Sequence, residues 1–164
     1  MSANTDIPES NKLGKQFKDY LRHHIFVKKF YVSIDENQDI QVSKTDPIEA
    51  AIYPDFKFRD KRHLQPFYLE AKFRSADSQE KISWCTAAQL KRYQEFEKSF
   101  PVFIVIGLGG KPDNPQHLFL LPLTEAGTTD LSMSTALKFE IPLCKPVMPE
   151  DLWKLTKPEY RKAG

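Results

Sequence analysis

Two stretches of sequence decide the fold: Tyr53-Pro54-Asp55-Phe56 and Tyr68-Leu69-Glu70-Ala71-Lys72-Phe73-Arg74. In both, charged residues interrupt an apolar pattern that is typical of β-strands. Because side chains alternate between the two faces of a strand, Glu70 and Lys72 lie on one face, and the apolar residues beside them lie on the other. If the two stretches pair as neighbouring strands, the carboxylate of Asp55 meets that of Glu70 across the pair.

The predicted juxtaposition of Asp55 and Glu70 indicates a metal site. Two close carboxylates repel each other unless a cation lies between them. A hard divalent ion suits them, because it takes oxygen ligands and keeps several waters; Mg²⁺ is the first candidate and Mn²⁺ the alternative. Lys72 is placed to orient or deprotonate such a water, or to neutralise charge as a phosphate is cleaved. The competing interpretation is a surface hairpin on which these three residues are unrelated.

The rest of the chain predicts an α/β protein with a mixed central sheet flanked by helices. The continuous apolar run 102–106 is typical of a strand buried on both faces, and Gly107–Gly110 predicts a flexible exit from it. Segment 59–66 predicts a long loop. Helices are predicted over 11–23, 86–99 and 150–155, and strands over 25–34, 40–42, 52–58, 67–73, 102–106 and 117–121.

Length and composition predict one globular domain. The chain has 164 residues, of which 40% are hydrophobic and 28% charged. We expect a loose leader over 1–10 and a single domain over 11–164, with a core of about 11–110 and a C-terminal extension over 111–164. The two cysteines are too few for a disulfide framework or a four-cysteine zinc site. With no predicted signal peptide or membrane span, we expect a cytoplasmic protein without membrane contacts.

Charge is distributed in blocks along the chain. The formal net charge is only +2, which excludes a polycation that coats nucleic acid. Residues 11–31 carry six Lys or Arg against one Asp, and residues 57–92 carry nine against four acidic residues. Residues 32–56 between them carry six acidic residues against one Lys. The pattern favours a basic groove for a polyanion around an acidic centre, and the alternative is a set of solvated faces of mixed sign.

Together these residues resemble the PD-(D/E)XK nuclease superfamily, whose fold is called restriction-endonuclease-like. Tyr53-Pro54-Asp55 and Leu69-Glu70-Ala71-Lys72 look like its signature. The family pattern continues with a helix that carries Gln-x-x-x-Tyr, which Gln89-Leu90-Lys91-Arg92-Tyr93 matches. A hydrophobic strand follows in the family and matches 102–106. The resemblance covers about residues 11–110.

The resemblance implies metal-dependent hydrolysis of phosphodiester bonds in DNA. It makes Asp55 and Glu70 metal ligands, adds the carbonyl of Ala71 as a further ligand, and makes Lys72 the catalytic lysine. Gln89 would support the active site or contact the DNA backbone, and Tyr93 likewise. The alternative for these last two residues is a polar helix face with one packed aromatic ring.

Several basic residues around these elements are plausible phosphate contacts, which would give salt-dependent binding without sequence preference. They are Arg59, Lys61, Arg62, Arg74, Lys81 and Arg92. Simple solubility is the alternative role for each of them. A chain of this size favours recognition of DNA structure over a long sequence, and compact junction-resolving members of the superfamily imply a homodimer.

The sequence departs from the family pattern at one position. The family opens with a helix of the type Gly-x-x-Phe-Glu, and here Gly14-Lys15-Gln16-Phe17-Lys18 places Lys18 at the acidic position. Asp19 and Glu9 are nearby substitutes. This departure bears on a fourth acidic ligand and a second metal. It also supports an alternative, a non-catalytic nucleic-acid-binding or assembly module that keeps the fold; a third hypothesis is an interaction protein whose sheet packs against a partner.

Overall fold

The structure is a computed structural model that describes residues 9–34, 53–76 and 80–156. A π-helical turn, Leu21–Ile25, continues the first helix, and a 3₁₀ turn, Leu123–Ala126, follows the sixth strand. The helices are α1 (Glu9–Tyr20), α2 (Ala87–Glu97), α3 (Met133–Leu137) and α4 (Pro149–Lys154). The strands are β1 (Tyr31–Ser33), β2 (Phe56–Asp60), β3 (Pro66–Arg74), β4 (Lys81–Ser83), β5 (Val102–Lys111), β6 (Asn114–Pro122) and β7 (Asp130–Ser132).

Five strands form a mixed sheet in the order β1-β2-β3-β5-β6. The neighbours β3 and β5 run parallel, and every other pair in this sheet is antiparallel. The chain passes from β3 to β5 through β4 and α2, and β4 pairs with β7 in a separate two-stranded sheet. The predicted α/β class with a mixed sheet and flanking helices is confirmed.

Both faces of the central sheet are covered by apolar side chains. On one face, Leu69 and Ala71 of β3 join residues of α1 and of α4 in a core cluster. On the other face, Tyr68 joins Tyr93 of α2 and side chains of β4 and β7. This alternation along β3 leaves Glu70 on the α2 face, as the sequence predicts. No helix in the described part of the chain is long and apolar enough to cross a membrane.

The predicted strand over 25–34 is mostly wrong. The helix instead begins at Glu9, inside the predicted leader, and the π-helical turn carries it to Ile25, so that only Tyr31–Ser33 forms a strand. Phe17, Leu21 and Ile25 recur at four-residue spacing and are all buried in the core. Helical periodicity therefore extends through Ile25, and residues 26–30 form a bend and a turn instead of a strand. The predicted strand 40–42 lies outside the described residues.

The predicted loop over 59–66 is shorter than expected. β2 continues to Asp60 and β3 begins at Pro66, so the connection is only five residues long. The buried side chain of Asp60 accepts hydrogen bonds from the main-chain N–H groups of Arg62, His63 and Gln65. Within the turn, these hydrogen bonds take the place of the main-chain bonds between strands and stabilise the short connection of the hairpin.

The predicted flexible exit at Gly107–Gly110 is also wrong, because β5 continues to Lys111 and pairs with β6 along its length. Gly107 is required by a close approach of α1. A Cβ atom at Gly107 would lie 2.6 Å from Cε1 of Phe17, so only glycine lets the Phe17 ring reach the sheet. Beyond residue 111, the chain adds β6, β7 and two helices to the fold, and the predicted helix over 150–155 is observed as α4.

Candidate active site

The carboxylate of Asp55 takes the place of a strand partner beside β3. The ladder between β2 and β3 begins at the pair Phe56–Leu69, so Asp55 lies just before β2. Its Oδ2 atom accepts a hydrogen bond from the N–H of Ala71 at 2.9 Å. Its own N–H donates to Oε2 of Glu70 at 3.1 Å. Asp55 and Glu70 are therefore held side by side by two hydrogen bonds that link the two segments.

Glu70 is the more deeply buried of the two carboxylates. Its side chain is 7% exposed. Burial, together with the negative charge of Asp55, raises the pKa of Glu70 to about 8. The hydroxyl of Tyr93 is hydrogen-bonded to Glu70, and burial together with the charge of Glu70 raises the pKa of that hydroxyl. Such a carboxyl in a half-open site is typical of functional positions rather than of packing.

Two lysines contact these carboxylates. Nζ of Lys72 lies 3.4 Å from Oε1 of Glu70, and its side chain is 16% exposed. Nζ of Lys18 lies 2.8 Å from Oδ1 of Asp55. Lys18 thus reaches the site from α1, although it stands where the family pattern has an acidic residue.

The oxygen atoms of Asp55 and Glu70 suit a hard divalent cation, which needs only one or two carboxylates when waters and substrate complete its coordination. The N–H and carbonyl of one strand residue point to the same side. The carbonyl of Ala71 therefore faces the gap beside Asp55, where β2 has not begun. Within residues 9–34, 53–76 and 80–156, no set of three Asp, Glu, His or Cys side chains is placed to share an ion. Asp19 accordingly does not join the two carboxylates.

The side chain of Gln89 caps α2. Its Oε1 accepts from the N–H of Thr86 at 3.0 Å, and Oγ1 of Thr86 accepts from the N–H of Gln89 at 3.2 Å. This reciprocal pair is a capping box, which satisfies main-chain donors at the start of a helix. The sequence Thr86-Ala87-Ala88-Gln89 carries that signature, so the helix start explains Gln89 without a catalytic role.

Tyr93 lies beneath the surface, with 3% of the residue exposed, and stacks on Trp84 at a ring distance of 6.0 Å. Its contact with the site is the hydrogen bond to Glu70 rather than a surface that DNA can reach. The Gln-x-x-x-Tyr pattern therefore places one residue at the helix cap and the other behind the carboxylates.

The predicted phosphate contacts fall into two groups. In the first group, the guanidinium groups bond to main-chain carbonyls. Arg74 donates to the carbonyls of Phe73, Ser83 and Trp84, and Nε of Arg92 donates to that of Ala88 at 3.5 Å. Burial lowers the pKa of Arg74. Arg74 therefore holds the segment after β4 in place.

The second group is exposed. Arg59, Lys61 and Arg62 lie around the turn between β2 and β3, at the end of the hairpin away from Asp55. Arg59 is four residues from Asp55, which is about 13 Å along an extended strand. Arg62 pairs with Glu150, and Lys81 is exposed at the start of β4. The carboxylates and these cations are thus separated along the hairpin.

Sequence reasoning missed the contact of Lys18 with Asp55. The family pattern marked residue 18 only as a position where an acidic residue is usual. No sequence signal distinguishes a lysine that reaches Asp55 from one that points into solvent. The reach of Lys18 depends on how close α1 comes to the sheet, which Gly107 sets.

Sequence comparison alone finds no relative: no family model matches the chain, and no curated protein sequence matches it. Comparison of structures finds Hjc, a Holliday junction resolvase from the archaeal hyperthermophile Archaeoglobus fulgidus. The two chains are 15% identical and superpose with a TM-score of 0.52, over 87% of this chain and 99% of the resolvase chain. At this identity the similarity concerns the fold. The chain therefore has the fold of a Holliday junction resolvase, which confirms the predicted restriction-endonuclease-like core.

Proposed function

We propose that this chain is a divalent-metal-dependent nuclease that hydrolyses phosphodiester bonds in DNA and selects DNA by structure rather than by a long sequence. The observation that carries the proposal is the pair of mostly buried carboxylates, Asp55 and Glu70, beside the ammonium group of Lys72. Holding like charges together costs stability that a bound cation would offset. The shared fold with a Holliday junction resolvase supports a branched DNA substrate.

The residues divide the chemistry among them. Asp55, Glu70 and the carbonyl of Ala71 would hold Mg²⁺, or Mn²⁺ as the alternative. When bound, such an ion activates a water and stabilises charge on the phosphate. Lys72 keeps an ammonium group beside Glu70, where it can orient that water or neutralise the negative charge that develops on the phosphate. Tyr93 holds Glu70 from behind through its hydroxyl.

The exposed cations near the hairpin turn would bind the DNA backbone. Arg59, Lys61 and Arg62 form one such group, and Lys81 is a further contact. Each phosphate contact adds salt-dependent affinity without sequence preference. We further propose a homodimer, in which two copies place two active sites on a symmetric junction. Light scattering of the purified chain, alone and with a four-way junction, measures the molar mass and hence the oligomeric state.

The test of catalysis is cleavage of a labelled four-way junction, a flap, a linear duplex and a single strand. Each substrate is incubated with Mg²⁺, with Mn²⁺ or with EDTA. We expect cleavage of branched DNA that EDTA abolishes. Asp55→Asn, Glu70→Gln and Lys72→Ala should each lower the rate at least about 100-fold, because each removes a group that acts on the reacting phosphate.

Lys98→Ala is the matched control for Lys72→Ala. Lys98 is an exposed lysine that pairs with Glu95 on α2, outside the carboxylate site. The Lys98→Ala variant should cleave each substrate at the rate of the wild-type chain. Metal-dependent cleavage that survives in Lys72→Ala and Asp55→Asn would come from a contaminant and would reject the proposal.

The contact between Lys18 and Asp55 favours a second candidate, a non-catalytic DNA-binding module. With Lys18 on Asp55 and Lys72 on Glu70, the two negative charges already have positive partners. A module of this kind would bind four-way junctions in a salt-sensitive manner in EDTA and would cleave none. Glu70→Gln would leave its binding unchanged, as a filter-binding titration measures.

A further inference from the structure

Each oxygen atom of the two carboxylates has a donor from the protein itself. Oδ1 of Asp55 pairs with Lys18, and Oδ2 accepts from the N–H of Ala71. Oε1 of Glu70 faces Lys72, and Oε2 accepts from the N–H of Asp55. Two of these donors are ammonium groups. The protein itself therefore places a positively charged partner on each carboxylate without an added ion.

The two lysines differ in how they are held. The side chain of Lys72 is 16% exposed and extends from the central strand β3. The side chain of Lys18 is 39% exposed and extends from α1 on a flexible four-carbon stem. Lys18 is thus the cation that can leave the site without disturbing the sheet. Its contact with Asp55 is nevertheless the shorter of the two, at 2.8 Å against 3.4 Å.

The position of Lys18 is set by packing. The preceding residue, Phe17, is buried and its ring lies against Gly107, which fixes the height of α1 above the sheet. This packing places residue 18 beside Asp55 independently of the charge on the side chain of residue 18. A lysine at this position places a positive charge within contact distance of a proposed metal ligand.

A divalent ion on Asp55 would meet the ammonium group of Lys18 at close range. Like charges a few ångströms apart in a partly buried site repel each other strongly, and salt screens them weakly there. We propose that Lys18 competes with the divalent ion for Asp55 and thereby limits the affinity of the site, so that an ion binds tightly only when the ammonium group moves away. This inference rests on the proposed function, since it takes Asp55 as a ligand.

The test is Mn²⁺ binding to the full chain in EDTA-free, low-salt buffer, followed by calorimetry and by the electron paramagnetic resonance signal of free Mn²⁺. Lys18→Met keeps the length of the side chain and removes its charge. We expect it to bind Mn²⁺ about tenfold more tightly than the wild-type chain. Lys18→Arg keeps the charge and should bind as the wild type does, and Asp55→Asn should lose the binding.

Lys15→Met is the matched control. Lys15 is an exposed lysine one turn earlier on α1, so its removal changes the net charge equally without touching the site. If Lys15→Met tightens binding as much as Lys18→Met, the effect is one of overall charge and the inference is wrong. Equal or weaker binding by Lys18→Met also overturns it, as does a lack of Mn²⁺ binding by both the wild type and Lys18→Met.

Thermal unfolding supplies an independent readout. In EDTA, Lys18→Met should unfold at a lower temperature than the wild type, because Asp55 loses its partner. Saturating Mn²⁺ should raise the midpoint of Lys18→Met more than that of the wild type, since tighter binding stabilises the folded state more. Equal Mn²⁺-induced shifts in the two proteins would contradict the competition.

The binding and cleavage experiments can reject the role of Lys18 and the proposed nuclease function independently of each other. Binding that depends on Asp55 and tightens in Lys18→Met, with no cleavage of any substrate, would reject the nuclease and keep the role of Lys18. Cleavage by the wild type, with the same Mn²⁺ affinity in Lys18→Met, would keep the nuclease and reject the role of Lys18.

Discussion

An acidic residue stands at each end of strand β2, Asp60 buried at one end and the half-buried Asp55 just before the other, and the two are used in opposite ways. At the far end, Asp60 is 0% exposed and accepts four hydrogen bonds, three from main-chain N–H groups of the turn and one from Nε1 of Trp153 at 3.0 Å. At the near end, Asp55 lies against Glu70 and the ammonium group of Lys18, and Lys72 contacts Glu70. Asp60 is surrounded by neutral donors, whereas Asp55 and Glu70 face charges.

This difference separates a structural carboxylate from a functional one. Neutral N–H donors satisfy Asp60 and lock the turn, so its burial requires nothing further from outside the protein. For Glu70, by contrast, burial and then the neighbouring carboxylate of Asp55 raise the pKa. A buried acid next to a second acid is therefore the informative one, and burial alone does not identify a site. Each of the following predictions tests this contrast.

The largest effect that we expect is the pH dependence of stability in EDTA. The pKa of Glu70 is raised from 4.5 to about 8 in the folded chain, so the folded state holds a proton that the unfolded state releases. The stabilisation that this proton gives the folded state is fully present below pH 4.5. It is lost as the pH rises through 8, which lowers the free energy of unfolding by on the order of 4 kcal/mol. Urea unfolding of the wild type at pH 5 and pH 8 measures the loss.

Glu70→Gln cannot ionise and should lose much less stability than the wild type over this pH range. The difference between the two proteins isolates Glu70 from the ionisable groups that both proteins share. Parallel pH profiles of the two proteins would show that Glu70 has an ordinary pKa, and the contrast with Asp60 would then fail.

The second prediction concerns Asp60. Asp60→Ala should lower the free energy of unfolding by about 3 kcal/mol, because four donors lose their acceptor. Glu70→Gln should cause no loss at pH 8 in EDTA. Asp113→Ala, which removes an exposed acid from another turn, is the control. A loss in Glu70→Gln as large as that in Asp60→Ala would mean that both acids are structural.

The smallest effect concerns the one side-chain donor to Asp60. Trp153→Phe removes the indole N–H and keeps an aromatic ring against Phe67 and Phe103. We expect a loss of about 1 kcal/mol in the free energy of unfolding. In the Asp60→Ala background, Trp153→Phe should lower the free energy of unfolding by little more than the loss of buried ring area accounts for. A full additional loss in the double variant would show that Trp153 acts through packing alone.

Much of the fold was predictable because it depends on local patterns. Alternation along residues 68–74 placed Glu70 and Lys72 on one face, and the apolar run after residue 101 marked the central strand β5. The helix predicted over 86–99 corresponds to α2, Ala87–Glu97. These features depend on neighbours along the chain, so a sequence contains them in full.

The errors share a different cause. The strand over 25–34 was mostly wrong because residues 25–30 are rich in β-branched and aromatic side chains, whereas the structure ends the π-helical turn at Ile25 and forms a bend and a turn after it. The contacts of Gln89 at the helix start and of Arg74 with the carbonyls of Ser83 and Trp84 were likewise not foreseen, and their roles at the site and on DNA stay predictions. In each case the partner that decides the role becomes known only when the elements are placed in space.

By itself, the sequence determined the acidic pair, its lysine and the alternation that puts Glu70 and Lys72 on one side of a strand. The tertiary structure alone decided that Asp55 bonds to the strand beside it, that Lys18 reaches Asp55 from another element, and that Asp60 is a structural acid. The physical reason is that strand periodicity is a property of consecutive residues. The partner of a charge depends instead on which distant segments the packing of the core brings within a few ångströms.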